Sequence, residues 1–134
     1  MYGFHIELDK PFDPAVAAVT EALKAEGFGI LSSIDIQAAM KEKLGLDVPP
    51  HRVLGACNPP LAHKALQAEP EIGLLLPCNV TVRAIGEGRV SVGFIDPQTM
   101  VSLTGNAEVR QVADEAGARL ARVREALQPA SGAT

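Results

Sequence analysis

The sequence predicts an α+β domain, a mostly antiparallel sheet with helices packed on one face, from three patterns. Residues 2–8 alternate, with Tyr2, Phe4, Ile6 and Leu8 on one side and His5 and Glu7 on the other, as a half-buried strand requires. Two apolar segments, 74–85 and 90–95, flank Gly86-Glu87-Gly88-Arg89, so they are expected to form an antiparallel hairpin. Val109, Val112, Ala116, Leu120, Val123 and Leu127 recur at three and four residues, which makes a long amphipathic helix that packs across one sheet face.

The remaining elements follow from start and stop signals. Asp13 is expected to cap a helix opened by Pro14, where a missing N–H costs nothing. Val16, Val19 and Leu23 form its apolar stripe and Gly27 ends it. Residues 28–34 form a second strand. Asp35 then caps a short helix carrying Ile36, Met40 and Leu44, closed by Gly45 and Pro49-Pro50. A third strand over 52–56 runs into Cys57. Asn58 is the expected N-cap of the next helix, with Pro59 at its first position, and that helix passes Leu66 and stops before Pro70. The predicted order is strand, helix, strand, short helix, strand, helix, strand, strand, helix. Residues 1–128 form one domain, and 129–134, which lack periodicity, are expected to be a disordered tail.

Composition narrows the function classes. With 134 residues, 47% hydrophobic and 21% charged, the chain matches a single domain. Such a domain buries roughly two-thirds of its unfolded surface and needs neither disulfide nor metal for stability. Twelve basic and sixteen acidic residues give a net charge of -4 with no basic run, which disfavours nucleic acid as a partner. The start, Met1-Tyr2-Gly3-Phe4-His5, has neither a charged nor an apolar leader region, and no apolar stretch has spanning length. Neither secretion nor membrane insertion is expected. The expected location is cytoplasmic, where the two cysteines are reduced thiols. If the sheet face away from the helices is apolar, a homodimer would cover it.

Chemistry concentrates at two short motifs, Cys57-Asn58-Pro59-Pro60 and Pro77-Cys78-Asn79, both at junctions of strands with turns or helix starts. A helix N-terminus after Cys57 would favour its thiolate, although free cysteine also serves as a small buried hydrophobe. Asn58 and Asn79 have donors and acceptors for a small polar ligand, and the N–H groups after Asn58 could hold an anion; capping alone also accounts for Asn58. His63, about one turn beyond Pro59, is a candidate base or ligand for Cys57, or plain helix surface. Asp35 and Asp96 could supply carboxylates, though both also fit capping and turn roles. There is no Cys-x-x-Cys, no short-spaced zinc ligand set, no phosphate loop and no nucleophile elbow. No metal or cofactor is expected.

Taken together, Gly27-Phe28-Gly29-Ile30-Leu31 with Ile34-Asp35, Gly55-Ala56-Cys57-Asn58-Pro59-Pro60-Leu61-Ala62, Leu75-Leu76-Pro77-Cys78-Asn79-Val80 and Asp96-Pro97 resemble the domain-of-unknown-function 302 family across nearly the whole chain. The resemblance implies a small fold similar to the TATA-binding-protein-like class, a dimer, and no established activity. Likeness to a DNA-binding fold carries no functional weight, because function lives in sites.

The absence of a catalytic set favours a binding role over an enzyme. The expectation is a cytoplasmic dimeric domain that binds or senses a small polar or anionic ligand near Cys57, Asn58, Pro59, Pro77, Cys78, Asn79, Asp35 and Asp96. Two alternatives stay open. One is a thiol redox or sulfur-transfer protein using Cys57 and Cys78, with His63 assisting; the other is a structural interaction domain without a ligand site.

Overall fold

A computed structural model describes residues 2–128; the tail expected at 129–134 lies outside the described residues. Five strands, β1 (Gly3–Leu8), β2 (Gly29–Asp35), β3 (His51–Cys57), β4 (Cys78–Gly86) and β5 (Arg89–Ile95), form one sheet in the order β1-β5-β4-β3-β2. Every neighbouring pair is antiparallel. Helix α1 (Phe12–Ala25) links the two edge strands, and α2 (Ile36–Leu44) links β2 to β3. Helix α3 (Pro59–Ala68) and a 3-10 helix, Pro70–Leu75, link β3 to β4, and α4 (Gln98–Thr104) and α5 (Ala107–Leu127) follow β5.

The helices bury one sheet face. Leu54 and Ala56 of β3, Val80 and Val82 of β4, and Val90, Val92 and Phe94 of β5 pack against Ala15, Val19 and Leu23 of α1 and Leu120 and Val123 of α5. The Phe4 and Phe94 rings stack with centroids 5.1 Å apart. A second cluster, Ala65, Ile72, Met100, Val101, Val109, Val112 and Ala113, joins α3, the 3-10 helix, α4 and the first half of α5. α5 therefore spans both clusters, which its long apolar stripe permits.

The predicted hairpin forms with a two-residue turn, Glu87-Gly88, in which Gly88 has φ 69°. Asp35 caps α2, its Oδ1 accepting from Ala38 N at 2.9 Å. Three expectations change. α1 begins at Phe12 with Pro11 as N-cap and no side-chain cap bond, so Asp13 lies within the first turn, where its charge favours the helix dipole. The predicted strand over 74–85 starts only at Cys78, because Pro70–Leu75 winds as a 3-10 helix. α4 is an additional helix: Asp96 Oδ1 accepts from Gln98 N at 2.9 Å and opens it, and Gly105 at φ 64° closes it. Seven residues make two turns, too few for a period to register.

The opposite sheet face is not a continuous apolar surface. Glu7, Ser91, Arg83 and His51 form one register row across it, and His5, Gly93, Thr81, Val53 and Ile34 another. Gly93 is enclosed: a β-carbon there would stand 2.8 Å from Thr81 Oγ1 and 3.1 Å from His5 Cδ2. Large exposed apolar side chains gather instead at Tyr2, Leu74 and Leu103, which border one groove. No helix among the described residues is long and apolar enough to cross a membrane.

Candidate functional site

Strand register brings the two Cys-Asn motifs together. In the β3–β4 pair Ala56 aligns with Cys78 and Gly55 with Asn79, so Cys57, at the end of β3, lies beside the start of β4. Gly55 makes this approach possible, since a β-carbon there would collide with Ser32 Oγ and stand 2.8 Å from Pro77 Cγ. The Leu76–Pro77 peptide is cis.

Cys57, Asn58, Pro77 and Cys78 line one cleft of about 320 Å³. It lies at the seam between the two core clusters: Phe28 and Ala56 come from the sheet cluster, and Ala65, Met100 and Val112 from the helical one. Small side chains keep the seam open, with Ala62 and Ala65 on α3, Gly73 on the 3-10 helix and Ala116 on α5. No charged side chain lines it, and Asn58 provides the amide.

Asn58 is 8% exposed. Its Oδ1 accepts from Leu61 N at 3.4 Å and its backbone carbonyl accepts from Ala62 N at 2.9 Å. Pro59 and Pro60 have no N–H. The first four positions of α3 therefore have no free backbone donor, and the expected anion site after Asn58 is not formed. The same arrangement offers the Cys57 thiol no free N–H from the first turn of α3. Burial accordingly dominates and pushes the Cys57 thiol up rather than down. Burial, and secondarily the charge of Cys57, raises Cys78 from an ordinary 9.0 to about 11. Both cysteines are free and, at neutral pH, protonated.

The other predicted residues lie elsewhere. Asn79 is exposed and borders the neighbouring groove with Tyr2 and Ile95. Pro59 and His63 are exposed on α3 and do not line the cleft. Asp35 caps α2, and Asp96 holds the turn that leads into α4 by accepting from Gln98 N. Phe28, Leu61, Leu76, Met100 and Ala116, which do line it, carry only the signal of ordinary core residues, and Met100 sits on the helix that periodicity did not reveal. No group of three or more His, Cys, Asp or Glu among the described residues could hold a metal ion.

A family model described as "Domain of unknown function DUF302" matches residues 4–127. The chain belongs to the DUF302 family. Its fold is similar to the crystal structure of an uncharacterized conserved DUF302 protein from Bacillus stearothermophilus, with a TM-score of 0.86 at 26% sequence identity, covering 96% of this chain and 99% of that one. Among curated proteins, none matches. In this DUF302 domain, the cleft between the Cys-Asn motifs is formed by β3, β4, α3 and α5 together.

Proposed function

We propose that this DUF302 domain binds a small apolar or amphipathic molecule in the cleft between its two core clusters, with Asn58 orienting the ligand's polar end. The supporting observation is the cleft itself: about 320 Å³, walled by apolar side chains, with one buried amide at its edge. Ligand sites are typically concave, apolar and of roughly 300–1,000 Å³, with few polar groups to set orientation. This changes the ligand class expected from the sequence. A polar or anionic molecule would find no charged side chain in the lining and no free N–H at the start of α3. Thiolate chemistry is disfavoured for the same reason, because burial keeps both thiols protonated. Two free cysteines fit a reducing, cytoplasmic setting. A second copy of the chain is proposed to cover Tyr2, Leu74 and Leu103, which are 77%, 85% and 70% exposed.

N-phenyl-1-naphthylamine, whose fluorescence rises in apolar sites, tests the proposal. Wild type is expected to take up one probe per chain, displaceable by medium-chain alcohols, and Ala116→Leu, which fills the cleft from α5, to lose it while melting no lower. Equal probe fluorescence in both proteins would count decisively against the cleft as the site.

A further inference from the structure

We infer that the cleft takes a long-chain fatty acyl ester or amide, whose uncharged carbonyl meets Asn58 and whose chain crosses into the neighbouring groove. This deepens the apolar-ligand proposal and rests on it. Two cavities stand back to back: the cleft of about 320 Å³, and a groove of about 520 Å³ bordered by Tyr2, Leu74 and Leu103. Leu76, Pro77 and Met100 line both, so a single layer of side chains separates them.

Asn58 selects the polar end. Its side chain is more than nine-tenths buried at the cleft edge; Oδ1 is engaged by Leu61 N, whereas Nδ2 has no hydrogen-bond partner among the described residues and is not one of the fully enclosed polar atoms. An amide nitrogen only donates, so the matching ligand atom is an acceptor oxygen. No charged side chain lines either cavity. A carboxylate buried there would have no cation to pair with, which is costly, while an ester or amide carbonyl accepts the same bond without charge.

The apolar walls set the path of the chain. Across the dividing layer, Tyr2, Leu74 and Leu103 are among the most exposed large apolar side chains of the described residues, and such clustering marks an interaction surface. A chain lying in the groove covers them. Met100 is the part of the divider able to turn aside, because methionine is unbranched, has three rotatable bonds and adapts to irregular apolar neighbours. A second copy seated over Tyr2, Leu74 and Leu103 closes the groove over the chain. Binding makes and breaks no covalent bond.

The test is displacement of N-phenyl-1-naphthylamine by methyl octanoate, methyl tetradecanoate and tetradecanoic acid at neutral pH, each below its solubility limit. A buried methylene contributes about fourfold in affinity, so the longer ester is expected to displace the probe at least ~30-fold better than the shorter one. The acid, ionised, should be at least ~10-fold weaker than its ester. Ser102→Trp on α4 and Asn79→Trp on β4, both exposed positions that fill the groove from different elements, should keep probe uptake and lose the chain-length gain. Equal displacement by the two esters, an acid as effective as its ester, or a chain-length gain that survives in both tryptophan variants would overturn the inference and leave the cleft reading standing. Absence of probe uptake by wild type would overturn both.

Discussion

A β-carbon at Gly27 would stand 2.9 Å from the Nδ2 atom of Asn58, so the residue that terminates α1 packs directly on the side chain that caps α3. Gly27 has φ +87° and completes a Schellman ending, with Gly27 N donating to Lys24 O at 3.0 Å and Phe28 N to Leu23 O at 2.9 Å. That turn delivers Phe28 to the cleft wall. One contact thus ties a helix end, a helix start and the cleft.

Gly27→Ala is expected to destabilise the domain by about 1–2 kcal/mol from the left-handed backbone alone, with a further cost from the contact with Asn58. Urea unfolding measures the sum. A variant as stable as wild type would show that the α1 ending yields freely.

Asn58→Ala removes the α3 cap and should cost about 1 kcal/mol. Asn58→Asp keeps the Oδ1 acceptor for Leu61 N but introduces charge beside an apolar cleft, so it should retain most of the stability while losing probe uptake. Unfolding midpoints and probe titrations on the same samples separate the two roles.

Both thiols should react slowly with iodoacetamide at neutral pH, and the rate at Cys78 should climb toward a midpoint near 11. A raised folded-state pKa also has a stability consequence. The protonated thiol is favoured in the fold, so this contribution is present below the ordinary value of 9.0 and is lost as pH rises toward about 11. Wild type should lose more stability than Cys78→Ala over that interval, as read from chemical-denaturation midpoints.

His51 titrates below its ordinary 6.5, first because of burial and then because of Arg83, its register partner on β4. The neutral imidazole is favoured in the fold, so its contribution is present above the unfolded-state value of 6.5 and is lost as pH falls below it. His51→Gln should therefore show a shallower fall in unfolding midpoint between about pH 7 and 5 than wild type. Parallel pH profiles would remove the inferred role of His51.

Legibility followed the range of the interactions involved. The Glu87-Gly88 hairpin, the Asp35 and Asn58 caps and the stripe of α5 are each set within a few residues, by a turn conformation, a side chain reaching its own helix, or a helical repeat. The Asp13 cap failed because Pro11 already supplies an extended residue before Phe12. α4 escaped notice because seven residues do not establish a period.

The sequence by itself determined the α+β class, the antiparallel hairpin, the long closing helix and the two Cys-Asn motifs as the place to look, all through local patterns of polarity and turn chemistry. Only the tertiary structure decided that Cys57 and Cys78 line one cleft, that Asn79, His63, Asp35 and Asp96 stay outside it, and that Met100 joins its lining. The physical reason is that the cleft is a packing gap. It exists where a sheet cluster and a helical cluster, assembled from residues far apart in the chain, meet over small side chains at Ala62, Ala65 and Ala116 without filling the seam.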